Sequence, residues 1–201
     1  MSDEVENFET VDPMDLFKSW LEDAENKELN DPNAIALATV DDTGLPNVRM
    51  VLLKEITDQS FIFYTNYKSV KAEEIVSSPK ASFLIHWKSL RRQIRVRGFV
   101  EKEDGVIADK YFSSRSLDSR IGAWASRQSQ EVGSRQELLD SVNKLTVELG
   151  ANPSRPPFWG GFRITPIEIE FWSDGDARLH NRFRWSRKDT KSNWNVCRLQ
   201  P

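Results

Sequence analysis

Apolar residues at Leu16, Phe17, Trp20, Leu21 and Ala24 recur at the i, i+3, i+4 spacing of an amphipathic helix. Asp12-Pro13 ahead of them supplies an N-cap and a proline at the first helical position, so a helix is predicted over residues 13 to 28. AIALATV (34–40), a β-branched and leucine run ending at Lys54, and FIFYT (61–65) read as successive antiparallel strands, separated by turns at Asp41-Asp42-Thr43-Gly44 and Asp58-Gln59-Ser60. A short helix fits Ser69 to Ser77, stopped by Pro79, and ASFLIHW (81–87) and RRQIRVRGFVEK (91–102) follow as strands. In the second of these Arg91, Gln93, Arg95 and Arg97 share one face, and Arg92, Ile94, Val96 and Gly98 share the other.

Residues 105 to 115 and 134 to 149 have helical patterns, and RITPIEIEFW (163–172), RLHNRFRW (178–185) and NWNVCRL (193–199) look like closing strands. Many short strands with helices inserted late predict a mainly β, α+β protein: one closed antiparallel barrel with peripheral helices. No repeat, low-complexity tract or interdomain linker interrupts residues 12 to 201, which are expected to form one domain behind a flexible acidic segment, 1 to 11.

Composition narrows the class. The 201 residues are 38% hydrophobic and 29% charged, within globular norms, and no apolar run approaches the roughly 20 residues that span a bilayer. The net charge of −3 hides an asymmetry: residues 1 to 31 hold 11 acids and two bases, leaving a remainder of net +6. A cationic body suits an anionic partner without choosing among nucleic acid, anionic lipid and phosphorylated small molecules. The single cysteine, Cys197, excludes a disulfide framework and a cysteine-cluster zinc site, and no metal site is expected. The first residues have neither a secretory nor a transit-peptide pattern, so a cytoplasmic location is expected.

Phosphate-loop, zinc-protease and serine-hydrolase signatures do not occur. Tyr111, Arg115, Ser119, Gln128 and Ser129 form instead a donor-rich, acid-poor group suited to phosphate oxygens. Arg49 and Lys54 bracket an apolar strand, and in isolation they read as surface charges. Arg178, His180 and Arg182 would share one face if residues 178 to 185 are a strand, with Trp172 close by in sequence, so all three could line one pocket. A lone histidine is more often structural, and the flanking arginines are what mark this one.

The strings RMVLLK, FYTN, RRQIRVRG, KYFSSR, DSRIGAWASRQS, PPFWGGFR, IEFW, RLHNRF and the terminal RLQP, in this order, resemble the pyridoxamine 5′-phosphate oxidases. The resemblance runs from about Asp12 to the last residue. It implies a homodimeric, FMN-binding split β-barrel with the flavin at the dimer interface, no nucleic-acid or membrane partner, and oxidation of pyridoxamine or pyridoxine 5′-phosphate to pyridoxal 5′-phosphate. Hydride would pass to the flavin, oxygen would reoxidise it, and hydrogen peroxide would leave.

By the same resemblance, FMN would be held by Arg49, Met50, Val51, Leu52, Leu53, Lys54, Tyr64, Thr65, Lys71, Gln93, Gln128, Ser129, Trp172 and Arg182. Lys54, Tyr111, Arg115 and Ser119 would hold the substrate phosphate, with Arg178, Leu179 and His180 beside the pyridine ring and Arg178 and His180 as the catalytic pair. The chain departs from the family pattern at several points. Val70 stands in place of an FMN-phosphate arginine, with Lys68 the nearest cation that could restore the charge. Ser116-Leu117 stand for Pro-Arg, Asn181 for Asp, and Gln200 for Ala, and residues 1 to 12 lack the family's basic arm. Two other readings compete: an FMN- or pyridoxal-phosphate-binding paralogue with little oxidase activity, and a nucleic-acid binder using Arg91, Arg95 and Arg97 with Trp87 and Phe99.

Overall fold

The computed structural model describes residues 11–201. The predicted acidic segment therefore lies, apart from Val11, outside the described residues. Helix α1 spans Pro13–Glu25; Asp12 caps it, its Oδ1 accepting from the Met14 amide at 2.8 Å. The strands are β1 (Ala34–Val40), β2 (Pro46–Ile56), β3 (Phe61–Asn66), β4 (Lys80–Trp87), β5 (Arg92–Glu103), β6 (Trp159–Ser173), β7 (Asn181–Ser186) and β8 (Asn195–Arg198). Helix α2 (Val70–Ser77) lies between β3 and β4, and α3 (Val106–Ser114), α4 (Leu117–Ala125) and α5 (Arg135–Leu149) lie between β5 and β6.

All strand pairings are antiparallel, in the order β3-β2-β1-β4-β5-β6-β7-β8. A further pairing of β3 with β6 closes the first six into a barrel and leaves β7 and β8 as an extension. The barrel fills with alternating side chains: Ile35 and Leu37 from β1, Phe61 and Phe63 from β3, Phe83, Ile85 and Trp87 from β4, Ile94 and Val96 from β5. Helix α1 adds Phe17, whose ring lies 4.7 Å from Phe61 and 6.4 Å from Trp87. Truncating so central a ring costs about 3–5 kcal/mol, because the closed barrel cannot collapse onto the void.

Closure also fixes two tight spots. A Cβ on Gly160 would sit 2.0 Å from the Tyr67 hydroxyl, and one on Gly98 would sit 2.3 Å from the Thr165 carbonyl oxygen. Neither position has room for a side chain.

The alternation predicted for residues 91 to 102 holds from Arg92 onward; Arg91 itself sits in the preceding turn at φ 54. Two predictions fail. Residues 178 to 180 are not strand: Asp176–Arg178 is a 3-10 turn and β7 begins at Asn181, so Arg178 and His180 do not share a strand face with Arg182. The reason is local, since Ala177 and Arg178 both take left-handed backbone angles (φ 53 and 65), which a strand cannot contain. The segment around Ser119 contains a helix, α4, that is not among the predicted elements, with Ser116 as its N-cap.

Candidate functional site

A cavity of about 840 Å³ opens between β2, β3 and α4. Strand β2 contributes Arg49, Met50, Val51, Leu52 and Lys54; β3 contributes Tyr64 and Thr65; α2 contributes Val70 and Lys71. Opposite them, Arg115, Ser119, Gly122 and Ser126 come from α4 and its flanks at helical spacing, with Tyr111 from α3 and Gln128 and Ser129 from the loop beyond. The donor group read from the sequence is thereby brought to one wall. That spacing was legible in the sequence and would have revealed α4.

Lys54 occupies a β-bulge. Leu53 pairs with Phe63 and Glu55 with Ile62, so Lys54 has no partner on β3 and its side chain is re-aimed to the cavity. Leu53 differs from its neighbours on β2. Its side chain is buried in the barrel core, and its backbone N–H and carbonyl bond Asn33 at 2.9 and 2.7 Å, so it is structural and does not line the cavity.

The cationic wall is unevenly neutralised. Arg49 pairs with Glu74 at 3.1 Å, and Glu74 also accepts from Asn47 at 3.1 Å and from Thr39. Burial pushes the Glu74 carboxyl up, but these hydrogen bonds and the Arg49 charge outweigh it and hold the group ionised, below its ordinary range. Lys71 is buried, and its ammonium donates to two hydroxyls, Thr65 Oγ1 at 3.1 Å and Ser69 Oγ at 3.2 Å. Burial, reinforced by the nearby Arg49 charge, pushes its pKa down to about 8. Glu74 was not singled out in the sequence; a buried acid one helical turn after Lys71 was the available signal.

Arg115 stacks over Trp159, 4.8 Å from ring centre to guanidinium carbon, and burial lowers its pKa. Among the described residues its Nη1 is buried without a hydrogen-bond partner. Tyr64, Tyr111 and Trp159 stack nearly parallel, Tyr64 to Tyr111 at 4.0 Å, giving the cavity a flat aromatic floor. Gln128 is pinned by Thr65 and by the Asn66 amide, which donate to its Oε1 at 3.1 and 3.3 Å. The chemistry of this wall fits a phosphate: a buried ammonium resting on hydroxyls, an orphaned guanidinium nitrogen, and hydroxyl and amide donors around them. Lys68 does not join it. Its ammonium lies 5.2 Å over the Phe158 ring, beside a separate cavity, so it does not replace the charge missing at Val70.

Gln93, Trp172 and Arg182 line a second, smaller cavity of about 190 Å³. They form one row across the sheet, Gln93 opposite Trp172 and Trp172 opposite Arg182. Here the cations are paired. Glu170, buried, accepts from Arg95 at 2.6 Å and from Arg182 at 2.8 Å, and Glu168 lies 3.5 Å from both Arg95 and Arg97. The arginine face therefore offers no free cationic stripe for nucleic acid, and Trp87 is buried in the core. His180 packs on Trp172 at 4.8 Å beside this row, while Arg178 and Leu179 are exposed in the turn before it.

The apolar part of the large cavity's wall continues across the outer face of the barrel. Met50 lies opposite Ala36 and Ala36 opposite Leu84, and Val48, Met50, Leu52 and Leu84 are exposed.

Residues 21–147 match the family described as Pyridoxamine 5′-phosphate oxidase. The chain belongs to that family. Residues 159–201 match the Pyridoxine 5′-phosphate oxidase C-terminal dimerisation region. A pyridoxine/pyridoxamine 5′-phosphate oxidase of Ruegeria sp. (strain TM1040) is 61% identical over 201 residues, covering all of both chains. One of Cereibacter sphaeroides (strain ATCC 17029) is 63% identical over 190 residues, 94% of this chain and 95% of that one. Among solved structures, PhzG from Burkholderia lata 383 in complex with tetrahydrophenazine-1-carboxylic acid superposes with a TM-score of 0.88 at 33% identity, covering 94% of this chain and 93% of that one. The family membership makes this chain an oxidoreductase of vitamin B6 with the split-barrel flavoprotein fold. Among the described residues no helix is long and apolar enough to cross a membrane.

Proposed function

We propose that this protein is a cytoplasmic FMN-dependent oxidase of the vitamin B6 salvage route, acting on pyridoxamine and pyridoxine 5′-phosphate from Asp12 onward as one homodimeric unit. The observation that carries the reading is the under-neutralised wall of the large cavity. A buried Lys71 resting on hydroxyls and a half-buried Arg115 whose buried Nη1 has no partner are costly unless an anion completes them.

FMN, when bound, would supply the hydride acceptor for the C4′ carbon and pass the electrons to oxygen, which leaves as hydrogen peroxide; pyridoxine 5′-phosphate would give pyridoxal 5′-phosphate directly, and pyridoxamine 5′-phosphate would give an imine that takes up water and releases ammonia. Lys71, Arg49, Thr65, Gln128 and Ser129 would hold the cofactor's phosphate and polar tail, and Tyr64 with the apolar side chains of β2 would flank its body. Lys54, Tyr111, Arg115 and Ser119 would clamp the substrate phosphate. Arg178 and His180 would orient the pyridine ring and assist removal of the substrate proton.

Those last residues, with Gln93, Trp172 and Arg182, lie on or beside the row across β5, β6 and β7, apart from the cavity. A second copy docked across the apolar outer face by a two-fold axis would lay the row of one protomer over the cavity of the other, completing two equal sites with FMN at the interface.

A second reading, a cofactor-binding paralogue with little oxidase activity, is favoured by Val70, which puts a methyl-bearing side chain on the wall. One experiment separates the two. The purified protein reconstituted with FMN is mixed anaerobically with pyridoxamine 5′-phosphate, and loss of the flavin's visible absorbance is followed, with pyridoxal 5′-phosphate assayed after air is admitted. Bleaching with product supports the oxidase, a yellow protein that does not bleach supports an FMN-binding paralogue, and failure to take up FMN refutes the oxidase and leaves only a pyridoxal-phosphate-binding paralogue.

A further inference from the structure

We infer that Asp174 is a positioning residue for His180, holding the imidazole through Nδ1 and leaving Nε2 as the ring nitrogen available to substrate. The inference rests on the reading that His180 works on the substrate.

His180 sits at the end of a turn that regular secondary structure does not hold. Ala177 and Arg178 take left-handed angles, and the turn is so tight that a Cβ on Gly175 would lie 2.2 Å from the Leu179 carbonyl oxygen. A side chain placed by such a turn needs an anchor outside it. Asp174 supplies one: its Oδ1 is 2.9 Å from His180 Nδ1. The other carboxylate oxygen is engaged by Arg91 from the turn between β4 and β5, and the Asp174 amide donates to the Arg91 carbonyl oxygen at 3.0 Å. The carboxylate is thus fixed on both sides before it meets the ring.

Nδ1 also faces the Gly175 amide, at 3.3 Å. The two neighbours make opposite demands, since the amide would donate to a bare nitrogen and the carboxylate accepts from a protonated one. The Gly175 amide makes the hydrogen bond, and the Asp174 carboxylate is the close charged neighbour, so both hold the imidazole by its Nδ1 edge. Nε2 then makes no hydrogen bond to any described residue, and the Trp172 ring, 4.8 Å away and tilted by 46°, limits how the imidazole can rotate. Asn181, next in the chain, does not hold the ring; its side-chain oxygen accepts from Arg198 at 3.3 Å. Asp176 and Arg178 are the remaining charged residues of the turn, and both are exposed.

The test uses FMN-loaded holoenzyme with Asp174→Ala, Asp174→Asn, His180→Ala and the double variant Asp174→Ala/His180→Ala. Read out are the anaerobic rate of flavin reduction by pyridoxamine 5′-phosphate, the substrate's KM, and the dissociation constant for FMN. Expected is a roughly tenfold slower reduction in Asp174→Ala, a smaller loss in Asp174→Asn, which keeps an acceptor oxygen, and FMN affinity within about twofold of the parent. In the His180→Ala background, removing Asp174 should cost nothing further, because a residue that acts through another loses its effect when that other is gone.

Losses that multiply in the double variant would overturn the inference, as would a parental reduction rate in both Asp174 variants while His180→Ala is slow. If His180→Ala itself reduces at the parental rate, the role given to His180 falls and the inference falls with it. Should Asp174→Ala fail to fold, the Asp174→Asn and Asp174→Asn/His180→Ala pair carries the same comparison.

Discussion

The two cavity walls use the same residue types to opposite ends. Around β2, β3 and α4, Lys71 rests on hydroxyls and Arg115 keeps an orphaned nitrogen. On the row across β5, β6 and β7, Arg95 and Arg182 share the buried Glu170, and Arg97 has Glu168. A cation whose carboxylate is built into the protein contributes to the fold and to orientation, whereas a cation without one is held ready for an anion from outside. Net charge does not report this difference; the placement of Glu168 and Glu170 does.

Removing the built-in partner of the second wall should give the largest effect. Glu170→Ala leaves Arg95 and Arg182 facing each other and should destabilise the protein by about 3 kcal/mol, the low end for a broken buried pair because both arginines keep some water access. Thermal denaturation should show it, and an unchanged Tm would mean that the pairing is incidental.

The first wall should respond in the opposite sense. Lys71→Met should raise the FMN dissociation constant by about 10–100-fold, the loss of a charge-assisted contact of about 1.5–3 kcal/mol, without lowering the Tm of the unliganded protein. Fluorescence titration and melting curves check both halves. The pH dependence follows from the same group. Its pKa in the unliganded fold is about 8 against 10.5 for the free side chain, so between those values the unfolded chain binds more protons and the unliganded protein gains stability as pH rises. FMN phosphate reverses this by favouring the charged form, so affinity should weaken from about pH 8 upward, and Lys71→Met should flatten that slope.

Arg115→Ala should raise KM for pyridoxamine 5′-phosphate about tenfold with a smaller change in kcat, since a clamp on a remote phosphate acts through binding. Steady-state kinetics decide it, and an unaltered KM removes Arg115 from the substrate site. The smallest effect is expected at Val70. This residue is partly exposed on the cavity wall at the first position of α2, and Val70→Arg should tighten FMN about threefold, the new guanidinium gaining a phosphate contact but opposing the helix N-terminus. Unchanged or weaker affinity in the same titration would show that position 70 does not meet the phosphate.

Much of this was legible in the sequence, and the failures have physical causes. Runs of β-branched, leucine and aromatic residues bounded by turn residues located seven of the strands to within a few residues, with alternation explicit in residues 91 to 102, because such runs fit a pleated, buried surface. The same alternation, extended one turn too far, placed Arg178 and His180 on β7; left-handed angles at Ala177 and Arg178 are carried by ordinary side chains that give no such signal. Helix α4 carries two sets at helical spacing, Leu117, Ile121, Trp124 and Ala125, of which Ile121 and Ala125 are buried, and Arg115, Ser119, Gly122 and Ser126 toward the cavity, and the polar set interrupts the apolar one along the chain. Leu53 was grouped with the cofactor residues because motifs run along the chain, while alternate residues on a strand point apart.

The sequence by itself determined the barrel, the family and the set of donors, because period, turn chemistry and motif order are properties of neighbours along the chain. Only the tertiary structure decided which donors face one another, which cations already have a carboxylate, and that the candidate ligand residues fall into two groups, one on the large cavity and one on the row across β5, β6 and β7. Those are outcomes of closing β3 onto β6 and of the strand registers, which bring together residues up to about a hundred positions apart, such as Arg163 and Ser60, and which no local pattern encodes.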